Sequence, residues 1–276
     1  MRQKVRQKQR GVYRGNRNDV KSGPKIVTIN RKNLAEYPDL VCFINAKHPA
    51  HTLKTEWVKN RLSEGMRIKL LYVPGQKKAA GFMEYTPGEH AWRAVSAKGY
   101  LFIHCVYIYP NVNRNKGLGS MLVSDCIEDA KHNDFNGVAV VTSSNSFMAQ
   151  KELFLKNGFD LSESDGAGND LLVCKLKDGP VPVINDFSKN LNNYQGLHIL
   201  FSKQCPWVAR LIEEIKESGM VKQLNIRITE LKTPAEAQQG PSLYATFNLV
   251  FNGKLLADRY ISLTRFNNIL KKEKLI

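Results

Sequence analysis

The sequence predicts an α/β chain of the α+β kind: a mixed central sheet flanked by helices, followed by a smaller β-α-β-α-β-β-α unit. Three observations carry this expectation. Short apolar runs that read as strands come first, and strands then alternate with segments of helical period. The run "YLFIHCVYIY" is long and mostly apolar, as a strand covered on both faces should be. Between residues 178 and 196 the pattern lapses into "DGPVPVINDFSKNLNNYQG", which reads as a linker. At 276 residues the chain has room for two domains, taking roughly 150 residues for each.

Element by element, "KIVTI" is a short strand, and "NLAEYPDLVCFI" a helix or helical turn interrupted at Pro38. "TLKTEWVKNRL" puts Leu53, Trp57, Val58 and Leu62 on one helical face, and Gly65 ends it. "MRIKLLYV" and "AAGFMEYT" are strands separated by the turn signal Pro74-Gly75. After "YLFIHCVYIY" comes a helix with Leu118, Leu122, Cys126 and Ile127 as its inward stripe. "GVAVVTS" is a buried strand, "FMAQKELFLKNGF" a helix stopped by Asn157-Gly158, and "NDLLVCKL" the final strand of the first unit. The second unit runs strand "LHILFS", helix within "KQCPWVARLIEEIKESG", strand "QLNIRITEL" and a short helix at "TPAEAQQ". It closes with the hairpin "YATFNLVFNGKLLADRYI", turning at Asn252-Gly253, and helix "LTRFNNILKK". The expected boundaries are a basic tail at 1–24, a first domain at 25–177, a linker at 178–196 and a second domain at 197–276.

Composition narrows the function classes. No run approaches the ~18 to 20 consecutive apolar residues of a membrane span. No apolar core follows the charged N-terminus as in a secretory signal, so the chain is expected in the cytoplasm, with no membrane partner. Five scattered cysteines without a C-x-x-C pair argue against a disulfide framework or a zinc site. His48 and His51 read as two loop histidines, and no metal site is expected. Net charge is +16, and the tail concentrates Arg2, Lys4, Arg6, Lys8, Arg10, Arg14, Arg17, Lys21 and Lys25 against Asp19. Such a tail is either a solvated segment or a weak contact for nucleic acid through residues 1–25.

The segment with most chemical content is "IYPNVNRNKGLGSMLVSDCIEDA", which leads from a strand into a helix through two glycines. Helix N-termini carry unpaired N–H groups and a partial positive charge, so they bind phosphate. The dinucleotide fingerprint would need a third glycine where Leu122 stands, and the P-loop would need its Lys after the glycine, whereas Lys116 precedes it. What remains, Arg114-x-x-Gly117-x-Gly119 after a buried strand, resembles the signature of the GNAT (Gcn5-related) N-acetyltransferases. Ile108-x-Pro110 resembles that family's lead-in with one extra residue, and "FLKNGF" at 154–159 resembles its Y-x-K-x-G-F. The resemblance spans about residues 25–177.

It implies a GNAT fold and acetyl-CoA as cosubstrate, with an amine-bearing acceptor, small molecule or protein, whose identity stays open. The cofactor-binding residues it implies are Val106 and Ile108 on the strand edge, with Arg114, Asn115, Lys116, Gly117, Leu118, Gly119 and Ser120 at the turn. Backbone amides from Asn115 to Ser120 would take the pyrophosphate, and Arg114 would brace the turn. The family's usual acid, a Tyr, is Phe154 here, so Tyr107, Tyr109, Cys105 or solvent must replace it. Candidate catalytic groups are Glu84 and His104. The competing readings are an exposed strand residue for Glu84 and a satisfied structural histidine for His104. Trp57, Phe43 and Trp92 could wall a cleft or be plain core.

"SKQCPWVARLIEEI" after a strand resembles the start of a thioredoxin-like fold, although Val208 stands at the second Cys of its motif and Phe247 at its expected cis-Pro. Cys205, at a helix N-terminus, is expected to have a lowered pKa and to act as a cap or binding group. The whole resembles acetyltransferases with a C-terminal YoaP-like domain. The alternative is an RNA- or ribosome-associated binding protein that uses its basic tail, with vestigial CoA binding.

Overall fold

The computed structural model describes residues 23–37, 42, 44–144 and 149–276. Residues 1–22 of the basic tail, Pro38 and Phe43 therefore lie outside the described residues. Strand β1 (Lys25–Ile29) leads to a 3₁₀ turn (Leu34–Glu36) and helix α1 (Pro49–Arg61). Helix α1 starts three residues before the periodic pattern because His48 caps it. The His48 Nδ1 accepts the Ala50 N–H at 3.1 Å, and Pro49 presets the first helical φ. His48 and His51 thus belong to a helix start, not to a loop. Strands β2 (Arg67–Tyr72), β3 (Gly81–Pro87), β4 (Val95–Ser96) and β5 (Tyr100–Ile108) follow, then α2 (Leu118–His132), β6 (Gly137–Ser143) and α3 (Lys151–Leu155). The first sheet is completed by β7 (Asp160–Ser164) and β8 (Asn169–Lys175).

The second half comprises β9 (Val183–Ile184), β10 (Leu197–Phe201), α4 (Pro206–Glu217), α5 (Met220–Gln223), β11 (Arg227–Glu230), α6 (Pro234–Gln238), β12 (Phe247–Phe251), β13 (Lys254–Ala257) and α7 (Leu263–Lys272). Seven strands form one sheet in the order β1-β2-β3-β5-β6-β8-β7, in which β5 and β6 run parallel and the other pairs antiparallel. Four form a second, in the order β11-β10-β12-β13. Strands β4 and β9 pair with each other.

Side-chain alternation assigns the two faces of the large sheet. Leu71, Met83, Leu101 and Ile103 meet Leu118, Leu122, Val123 and Cys126 of α2. Their neighbours Leu70 and Phe82 face the other way, into a core with Trp57 and Val58 of α1. Leu200, Ala209, Leu231 and Val250 of the second half enter that same core. The two sheets thus share apolar interior. Residues 178–196 are pinned as well: Asn185 N–H donates to Ala94 O at 2.8 Å and Ile184 N–H to Glu163 Oε2 at 2.7 Å.

Candidate active site

Strand β5 is bent by its own sequence. Glu84 pairs with Cys105 and Tyr85 with Ile103, so His104 is an extra residue, a β-bulge that twists the strand locally. On its other side β5 pairs with β6 only from Tyr100–Gly137 to Ile103–Val140. Beyond that point the two parallel strands diverge. The wedge opens into a cavity of about 580 Å³, whose floor includes Ile103, Cys105, Val106, Tyr107, Val140 and Val141.

Helix α2 begins beside this wedge. Gly117 is its N-cap with φ +75°, a conformation L side chains rarely adopt, and an added Cβ would meet open space. As a glycine the N-cap offers no capping side chain, and the first-turn N–H groups have no intrahelical acceptor. Gly119 answers a different need: its Cβ would come within 3.2 Å of Leu153 Cδ1, where α2 passes close to α3. Arg114 Nε donates to Ile108 O at 3.3 Å and its Nη2 to the Tyr107 hydroxyl at 3.2 Å, tying the turn back to β5. Asn115 has φ +60°, and Leu118 is buried against the sheet. At the far end, Tyr85 hydrogen-bonds Asp129, and Lys69 pairs with Asp125 at 2.8 Å, fixing α2 on the sheet.

Glu84 lies inside the molecule at 1% exposure, which overturns the reading of an exposed strand residue. Its Oε2 accepts from Lys54, itself 2% exposed, and its Oε1 accepts from Gln204 Nε2 at 2.7 Å. Burial alone would push its carboxyl up; Lys54, with help from His104, outweighs this and holds it at about 2. His104 Nε2 accepts the Trp92 N–H at 2.9 Å, which leaves the ring proton on Nδ1. That atom lies 3.3 Å from Glu84 Oε1 but off the line of a good hydrogen bond. Burial pulls the imidazole down to about 4, against the pull of Glu84, so it is neutral at pH 7. Neither ring nitrogen then offers a lone pair to a substrate.

Arg93 donates to Trp92 O (2.6 Å), Gln204 Oε1 (2.8 Å) and His104 O (3.0 Å), stitching the bulge to the second half of the chain. Gln204, Cys205, Trp207, Tyr244, Arg259 and Tyr260 of that half line the cavity too. Sequence reasoning missed Gln204, Arg93 and Arg259, and Lys54 as the partner of Glu84. The available signal was a charged residue in otherwise apolar "GFMEYT", which demands a buried partner without naming it.

Of the substitutes for the absent Tyr, Cys105, Tyr107 and Tyr109 all line the cavity, as does Phe154, whose ring packs edge-on to Phe159 at 5.4 Å. Cys42 hydrogen-bonds Cys105, pulling that thiol down and pushing its own up. Cys205 departs from expectation. Burial pushes its thiol up despite the nearby N–H groups of Val208 and Trp207. Trp57 and Trp92 pack edge-on at 5.3 Å and belong to the core. Among the described residues no cluster of His, Cys, Asp and Glu could hold a metal ion, and no helix is long and apolar enough to cross a membrane.

The chain is 25% identical over 251 residues (88% of this chain, 97% of the other) to the uncharacterized N-acetyltransferase YoaP of Bacillus subtilis strain 168. Solved structures that resemble it include a Bacillus subtilis acetyltransferase in complex with CoA, 18% identical, covering 55% of this chain and 99% of that one at a TM-score of 0.39. Another is the paia N-acetyltransferase of Thermoplasma acidophilum in complex with coenzyme A, 12% identical, covering 56% and 100% at a TM-score of 0.40. Residues 37–159 match the acetyltransferase (GNAT) family. The matched stretch contains β2, β3, β5, α2 and β6 and with them the wedge and the glycine turn.

Proposed function

We propose that the chain is an acetyl-CoA-dependent N-acetyltransferase, in which an acceptor amine attacks the acetyl group directly within a ternary complex. The observation that carries this is the divergence of β5 from β6 after Ile103, beside an uncapped helix N-terminus whose N-cap is Gly117. The fit to acetyl-CoA can be judged on these features alone. The edge of β5 from Cys105 to Ile108 has lost its β6 partner and can pair with the amides of a pantetheine arm, Val106 and Ile108 included. Backbone from Asn115 to Ser120 presents N–H groups to a pyrophosphate, and a Cβ at Gly117 would stand in otherwise open space there. Lys116 adds a positive charge, and Arg114 holds the turn against Ile108 O.

Bound acetyl-CoA would supply an activated acetyl group; the remaining work falls to the chain. We assign Glu84 to orient the amine as a permanently ionised carboxylate. Held near 2, it is a poor proton acceptor at neutral pH, so the amine's proton leaves through water. His104 is a positioning residue, holding Trp92 N–H on one side and facing Glu84 with the other. Tyr107 or Cys105 can protonate the departing thiolate, both being on the cavity wall. The second sheet, ordered 2-1-3-4 with its first two strands parallel, supports a thioredoxin-like unit for residues 197–276.

Thermal unfolding with and without acetyl-CoA tests the reading. At about a hundred times its dissociation constant the ligand should add roughly 2.7 kcal/mol, and Gly117→Glu, which sets a carboxylate on the anion site, should abolish the shift. No shift in the folded wild-type chain would refute it.

A further inference from the structure

The cavity has an unequal charge balance. Among the described residues that line it, three side chains are cationic, Lys54, Arg93 and Arg259, and one is a carboxylate, Glu84. His104 is neutral at pH 7. Lys54 is paired with Glu84, and Arg259 with Asp258 through Nε (2.7 Å) and Nη2 (2.8 Å). Among the described residues Arg93 has no carboxylate partner: it donates to two backbone carbonyls and to the Gln204 amide oxygen. Its guanidinium is nonetheless buried, at 5% exposure, and desolvation pulls its pKa down. A buried cation held by neutral dipoles leaves net positive charge facing the cavity.

A second observation lies between the two arginines. Tyr244 lines the cavity with Arg93 5.3 Å and Arg259 4.8 Å from its ring centre. Its hydroxyl is buried without a hydrogen-bond partner among the described residues. A buried donor without a partner, on a ring packed by two guanidinium groups, is a place for an anion's oxygen. The rest of that wall is aromatic or apolar, with Trp207, Tyr260 and Phe82.

Resting on the acetyltransferase reading, we propose that the acceptor is a small zwitterionic amine, an amino acid with an apolar side chain. Its ammonium meets Glu84, and its carboxylate meets the Arg93–Tyr244–Arg259 wall contributed in part by the C-terminal unit. Polycationic amines are excluded by the same charges, because one carboxylate already paired to Lys54 cannot balance several ammonium groups. Size agrees: about 580 Å³ must hold both the acyl end of the cosubstrate and the acceptor, and it can take a small molecule whole.

The test uses matched pairs on the full chain with acetyl-CoA: phenylalanine against phenylalaninamide, leucine against leucinamide, and spermidine and kanamycin as polycations. CoA release gives kcat/KM, and thermal stabilisation by each amine in the presence of CoA gives binding without turnover. The free acids should exceed their amides by at least about ten-fold in both readouts, a step of one decade in affinity or more. Arg259→Gln should narrow that ratio; if it does not fold, the acid–amide ratio of the wild-type chain decides by itself. Equal use of acid and amide, preference for a polycation, or no response to any amine by a chain that acetyl-CoA stabilises would overturn the acceptor class and leave the acetyltransferase reading standing. A chain that acetyl-CoA does not stabilise would bring down both.

Discussion

The neutral, buried histidine on the β5 bulge makes stability depend on pH in a window that can be worked out. His104 titrates at about 4 in the folded chain and near 6.5 unfolded, because burial opposes its charge, and the Arg93 and Lys54 cations oppose it further while Glu84 favours it. As pH falls below about 6.5 the unfolded chain takes the proton first, so stability drops by up to about 1.4 kcal/mol per pH unit. The loss is complete near the folded value and totals roughly 3 kcal/mol. Between about pH 7.5 and about pH 5, urea unfolding of the wild-type chain should lose about 2 kcal/mol from this group. His104→Gln keeps a side chain able to accept the Trp92 N–H but has no such titration. It should be less stable at neutral pH, by about 1–3 kcal/mol for an imperfectly satisfied site. Its further loss on going to about pH 5 should be smaller than that of wild type by the same 2 kcal/mol or so. Equal acid losses in the two proteins would show that His104 is solvated or already charged, and the bulge geometry would be wrong.

Glu84 governs the next window: its contribution is fully present above its unfolded value near 4.5 and is lost as pH falls towards about 2, so acid unfolding should be steep there and flattened in Glu84→Gln. Lys54→Met strands a buried carboxylate and should destabilise by about 3–5 kcal/mol, with much of the loss recovered by adding Glu84→Gln, as a double-mutant cycle in urea would show. Gln204→Ala removes the amide that joins Glu84 to Arg93 and should cost about 1–3 kcal/mol in thermal unfolding. Phe154→Ala empties a fully buried ring site and should cost about 3–5 kcal/mol by the same measurement.

Much of this was legible in the sequence wherever a period or a motif is local. The strand "GVAVVTS" and helix "LTRFNNILKK" coincide with β6 and α7, because each announces its own burial pattern. Strand β7, "DLSES", gave no such sign: it is a sheet edge with polar side chains on both faces, held by its pairing to β8. Strands β4 and β9 are two residues each, too short for any period. The same divide runs through the site. The turn from Arg114 to Ser120 can be read as a unit because it is contiguous, whereas the surroundings of Glu84 and His104 depend on Lys54, Trp92 and Gln204, brought together from distant segments. Cys205 shows the limit of a one-residue rule, since the helix N-terminus that should lower its pKa is outweighed by burial.

A crystal structure of the full chain with acetyl-CoA would decide the matter. The pantetheine arm should lie along β5 from Cys105 to Ile108, with the pyrophosphate on the N–H groups of Gly117 to Ser120 and the acetyl group near Glu84 and Tyr244. Ligand bound anywhere outside the β5–β6 wedge, or an acetyl group closed off from the wall formed by Gln204, Tyr244 and Arg259, would contradict it.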